Sequence, residues 1–201
     1  MGIFRHKRTK KDFWTWFQEN EGEIFESDAT RDSIFDELHS RLQEFHESLT
    51  FEISNVRNDG TRDLVISADG IRDAFPAVLE LTEKAPRFKR FQITAFRQPH
   101  LPLAPIRMGD KEFKPEHVHF SLEEEEDELN IYVFMKDIAG ASEQDCKRSL
   151  MAMYLFLDQA LGEYVVETRL SAITLLDFDE HAHIEKLPLS DLPAAIAKNA
   201  S

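Results

Sequence analysis

The sequence predicts an α+β fold: an N-terminal αα-hairpin followed by two ββαβ units forming a mainly antiparallel sheet covered by helices. Three observations predict it. Before residue 50, apolar residues recur every three or four positions, the period of an amphipathic helix. Beyond it, two stretches alternate apolar and polar residues, and each leads into a further helical pattern. Hydrophobic residues make up 42% of 201, enough to bury a sizeable core.

Residues 1–11 read as a basic arm, with Arg5, Lys7, Arg8, Lys10 and Lys11. Residues 12–201 read as one α+β domain. Asp12 is placed to cap a helix carrying Phe13, Trp14, Trp16, Phe17 and Ile24, with a break near Gly22. A second helix, about Asp32 to Ser48, gathers Ile34, Phe35, Leu38, Leu42, Phe45 and Leu49 into one stripe. An aromatic helix of this kind must be buried, in its own core or in a homodimer contact.

The first ββαβ unit spans about 51–97. Phe51 and Ile53 alternate with Glu52 and Ser54, Asn58-Asp59-Gly60 supplies a tight turn, and Leu64 to Ala68 returns. Asp69 opens a helix with Ile71, Ala74, Phe75, Val78 and Leu79 on its apolar face, and Pro76, acceptable only near a helix start, allows a start nearer Ala74. Phe88 to Arg97 is the third strand. The linker 98–117 holds four of the eight prolines between Pro99 and Pro115.

The second unit spans about 118–176. Val118, Phe120 and Leu122 alternate with polar neighbours, Glu123 to Glu128 form the hairpin tip, and Ile131 to Met135 return. Ser142 caps a helix with Asp145 in a capping-box-like place. Cys146, Leu150, Met153, Tyr154, Leu157 and Leu161 mark its expected buried face, and Gly162 its stop. Tyr164 to Leu176 is the expected last strand. A helix crossover can bring its flanking strands parallel, so a mixed sheet is open.

With 24 Lys+Arg against 38 Asp+Glu, the formal charge is −14. Such a chain repels phosphate backbones and anionic lipid, so neither nucleic acid nor membrane is expected as a partner. No run of about 18 apolar residues marks a membrane span. The basic start lacks the apolar segment of a secretory signal, and His6 stands where a myristoylation signal carries Ser or Thr. One cysteine fits a reducing compartment. The expectation is a cytoplasmic protein.

Common catalytic signatures (GxGxxG, GxxxxGK[ST], GxSxG, HExxH, CxxC) do not occur. The enzyme alternative rests on histidine spacing. His117 and His119, two apart on an expected strand, present both rings to one face. Asp179, Glu180, His181 and His183 add a second HxH with carboxylates. If the two segments converge, they supply imidazole and carboxylate ligands for Zn²⁺ or Fe²⁺ and a metal-dependent hydrolase; otherwise they are surface histidines and no cofactor is expected. The proline-rich linker is cationic for this chain, and Arg97 and Arg107 are candidates for holding a small anion. The acidic tip lacks the spaced ligands and glycine of an EF-hand loop.

The segments Phe13-Trp14-Thr15-Trp16-Phe17-Gln18-Glu19-Asn20-Glu21, Phe51-Glu52-Ile53-Ser54, Leu64-Val65-Ile66-Ser67-Ala68-Asp69-Gly70-Ile71 and Leu157-Asp158-Gln159-Ala160-Leu161-Gly162-Glu163-Tyr164-Val165-Val166-Glu167-Thr168 resemble a family of bacterial cytosolic proteins with no assigned activity. The resemblance runs from about Asp12 to Asp177 and brings no site residues. Small acidic α+β proteins are also similar, at the level of fold, to bacterial immunity proteins. The expected function is a non-catalytic, cytosolic protein-binding module with an acidic surface and a basic protein partner.

Overall fold

A computed structural model describes residues 10–27, 33–125 and 128–198. Nine residues of the basic arm, and Glu126 and Asp127 of the acidic tip, lie outside the described residues. The fold is α+β, and the chain divides into two compact units at Arg97/Gln98. Both tryptophans belong to the first unit and all three tyrosines to the second.

In the first unit, helices α1 (Lys10–Glu26) and α2 (Ser33–Gln43) precede strands β1 (Thr50–Ile53) and β2 (Arg62–Ser67). Helix α3 (Phe75–Glu83) then crosses over to β3 (Phe91–Ala95). β1 and β2 are antiparallel with Phe51 opposite Ile66, and β3 runs parallel to β2 with Ile93 beside Leu64. The hairpin turn is pinned by Asp59, whose carboxylate accepts the Thr61 N–H at 3.0 Å and its hydroxyl at 2.7 Å, with Gly60 at φ 78°. Pro76 lies in the first turn of α3, where no N–H is missed. The helix starts at Phe75, so Ile71 lies before it and is exposed, and its buried face is Phe75, Val78 and Leu81 rather than Leu79, which is exposed.

The core is aromatic. Phe17 is fully buried, with the rings of Trp14, Phe88 and Phe91 at 5.8, 5.0 and 5.2 Å. The Trp14 indole N–H donates to the Leu81 carbonyl at 3.0 Å, so its polar atom is satisfied in the interior. Phe13, Trp14, Trp16 and Phe17 are all buried, with Leu38, Leu42, Ile66 and Val78 in the same cluster. The homodimer contact expected from these aromatics therefore has no exposed aromatic anchor on α1 among the described residues. Asp12 falls inside α1 rather than before it, the helix runs through Gly22 unbroken, and α2 ends at Gln43, short of the expected Ser48.

In the second unit, the expected linker contains a small hairpin, β4 (Ile106–Met108) and β5 (Lys111–Phe113), turned at Gly109 with φ 66°. Strands β6 (His119–Glu125) and β7 (Glu128–Met135) form the acidic-tipped hairpin, Glu125 opposite Glu128. Helices α4 (Glu143–Leu161) and α5 (Glu163–Arg169) lead to β8 (Ile173–Asp177), parallel to β7. The two-residue β9 (Leu187–Pro188) pairs with β6, and α6 (Leu192–Lys198) follows. The sheet order is β8-β7-β6-β9. Ser142 caps α4, its Oγ accepting the Asp145 N–H at 3.2 Å.

Three expectations change here. The two ββαβ segments build separate sheets rather than one, each an antiparallel hairpin with a parallel third strand. Residues 163–169 are helical, not extended: Gly162, at φ 83°, ends α4, and α5 buries Val166. On α4 the buried stripe is Ser149, Ala152, Met153, Phe156, Leu157, Ala160 and Leu161; Cys146 is half-buried, and Leu150 and Tyr154 are exposed.

Candidate functional site

The densest group of chemistry-bearing side chains lies on the second unit's sheet, on the face turned away from α4. Period-two alternation sends Phe120, Ile131 and Val133 into the main core, and His119 and Phe134, directly opposed across β6 and β7, to the other face. The segment after β8 folds over them. The Phe178 ring lies 5.0 Å from the His119 ring, and the His181 ring 6.3 Å from Phe134, which is fully buried.

Asp177 fixes this segment. One carboxylate oxygen accepts the Ile138 and Ala139 N–H groups at 2.9 and 3.0 Å, and the other those of Asp179 and Glu180 at 2.9 and 3.2 Å. The Ala139 N–H contributes most to holding its carboxyl down to a pKa of about 2, against the opposing effect of burial. Lys186 closes the segment. Its ammonium donates to the His181 and Ile184 carbonyls and lies over the Phe134 and Phe178 rings at 4.7 and 5.0 Å.

The sequence-derived ligands do not assemble around this point. His117 ends a 3₁₀ turn (Pro115–His117) instead of sharing a strand with His119, and it is exposed. His181 and His183 rings are 6.2 Å apart, and Asp179 is exposed. Among the described residues, no group of three or more His, Cys, Asp or Glu side chains is arranged to hold a metal ion. His119 Nδ1 is buried without a hydrogen-bond partner. Its pKa is lowered: burial is the largest influence and outweighs a hydrogen bond with the His117 backbone that acts upward, and the Lys186 and His117 charges lower it further. The ammonium that opposes a proton there opposes a divalent metal cation more strongly, in proportion to its charge.

The two arginines of the anion reading belong to different units and already hold carboxylates. Arg97 bridges Glu52, at 2.5 Å, and Asp69. Burial is the largest influence on its guanidinium and acts downward, but Glu52 and Asp69 outweigh it and raise the pKa. Arg107, exposed on β4, is 2.8 Å from Glu112.

The sequence reading missed two features. Lys186 is one; no local pattern marks a lysine that folds back onto the carbonyls of the turn before it. The other is the outward side of α4, where Leu150, Met151 and Tyr154 are 43, 60 and 39% exposed. A signal existed for it: Ser149 to Leu157 is nine residues without a charge, more apolar than a helix with one buried face requires. Compared with known proteins, the chain matches no family model, no curated protein and no solved structure.

Proposed function

We propose that the chain is a non-catalytic, cytosolic protein-binding module that meets a basic partner. The observation that carries this reading is where the negative charge sits. From Gln98 onward there are 9 Lys+Arg against 20 Asp+Glu, a balance of −11, so most of the −14 belongs to the second unit. Several of the cations present are engaged: Lys147 with Glu143 at 2.6 Å, Arg148 with Asp110 at 3.2 Å, Arg107 with Glu112. The β6–β7 tip, with Glu123, Glu124 and Glu128 exposed, is the steepest local concentration of negative charge. A field of this sign speeds encounter with a cationic surface and repels anionic ones. The single cysteine, Cys146, fits a reducing compartment.

The test is association of a labelled lysine-rich peptide, followed by fluorescence anisotropy at low and high salt. Binding at low salt that weakens about tenfold or more at high salt supports the reading, as does weakening in Glu123→Lys/Glu124→Lys/Glu128→Lys. Absence of salt-sensitive association overturns it.

A further inference from the structure

We infer that the outward face of α4 is the docking surface of this module, and that it takes an amphipathic basic segment of a partner protein, with an apolar ridge flanked by Lys or Arg. The inference rests on the protein-binding reading and goes on to locate the contact. At about 100° per residue, Met151 lies opposite the buried stripe of α4, with Leu150 and Tyr154 on the same outward side. Spacings of three and four residues make these side chains neighbours, so they form one strip. The core has no use for them, since the inner stripe from Ser149 to Leu161 is complete without them.

The surroundings of the strip select the occupant. One turn before it, Lys147 is held by the exposed Glu143 and Arg148 by Asp110 and Asp145 at 3.2 and 3.6 Å, so both cations are already matched. One turn beyond Tyr154 stands Asp158. The unit that carries the strip has a charge of −11, which repels a second copy of itself and an anionic lipid surface and favours a cationic segment. An apolar ridge fits Leu150, Met151 and Tyr154, and flanking ammonium or guanidinium groups fit the acidic surroundings.

The test uses the full chain and two labelled peptides of identical Lys/Leu composition, one patterned as an amphipathic helix and one scrambled. The expected result is binding of the patterned peptide at least tenfold tighter than the scrambled one. Met151→Glu/Tyr154→Glu then weakens the patterned peptide by about tenfold or more, with an unchanged far-UV spectrum and thermal midpoint. Met151→Glu alone, at the most exposed position, weakens it in the same direction. The sign is decisive. Each glutamate adds negative charge, so binding governed by charge alone tightens in these variants, whereas binding through the apolar strip weakens.

Equal binding of both peptides with strip variants that bind as well or better overturns the docking surface and leaves the acidic-module reading standing. Absence of any salt-sensitive binding overturns both. Sedimentation of the wild-type chain alone is expected to show a monomer; a dimer that Met151→Glu splits assigns the face to a second copy and overturns the inference. Flotation with neutral phosphatidylcholine vesicles, if abolished by the same variant, assigns it to lipid and also overturns it.

Discussion

Replacing Asp177 by alanine removes the acceptor of four backbone N–H groups at once. Two belong to the loop after β7 (Ile138, Ala139) and two to the segment after β8 (Asp179, Glu180). The carboxyl is held at about 2 against an ordinary value near 3.8. At about 1.36 kcal/mol per pKa unit, that shift corresponds to a ceiling of about 2.5 kcal/mol at neutral pH. Asp177 is 7% exposed, but the donor residues around it are exposed or half-buried, so water screens the carboxylate and can replace it on some of these N–H groups. The expected loss is therefore about 1–2 kcal/mol. Asp177→Asn is expected to lose a similar amount, because its NH₂ must face one of the two pairs of donors. The native-state pKa is depressed, so the stabilisation is fully present above about pH 4 and is lost as the pH falls towards about 2. Urea unfolding followed by far-UV circular dichroism at pH 7 and near pH 3 measures both effects. The variant should lose stability at pH 7 and show a shallower acid dependence than wild type. A loss below about 0.3 kcal/mol at pH 7, or an unchanged acid slope, refutes the reasoning.

Three further outcomes are expected. His119, whose native pKa is lowered, binds its proton more readily in the unfolded chain; wild-type stability should fall as the pH drops through about 6.5, and His119→Gln should flatten that fall in the same urea experiment. Arg97→Gln removes the partner of both Glu52 and Asp69 and should cost about 1 kcal/mol, read by the fluorescence of Trp14 and Trp16 during urea unfolding; high salt should shrink the difference. Phe17→Ala opens a cavity among the Trp14, Phe88 and Phe91 rings and should cost about 3–5 kcal/mol in the same assay.

The hairpins, their turns and the crossover helices were legible because their causes are local. Alternation at Phe51 and Ile53, the Asp59-Gly60 turn and the Ser142 cap all act within a few residues. The errors arose where a distant contact decides. Tyr164-Val165-Val166 favours an extended chain by composition, but burial of Val166 against the unit's core makes it helical. On α4, Cys146, Leu150 and Tyr154 make as good an apolar stripe on paper as Ser149, Met153 and Phe156, and only the sheet beneath selects the second. The candidate site was partly legible. His119 and His181 do lie against one small cluster, but they reach it through Phe134 and Phe178, and Lys186 occupies the ground between the rings.

The short strand β9 has a consequence for how the second unit behaves in crowded solution. A free sheet margin is a template on which further chains add as strands, the first step of fibrillar growth. Along β6 that margin is blocked in two ways. Beside His119 and Phe120 it is already paired with Leu187 and Pro188, and proline has no N–H to continue a ladder. Farther along, the exposed Glu123 and Glu124 repel an incoming chain of the same charge. The two blocks are complementary, one made by backbone pairing and the other by charge, and together they cover the margin from His119 to Glu124. Fibrillar growth from this margin is therefore held back along most of β6.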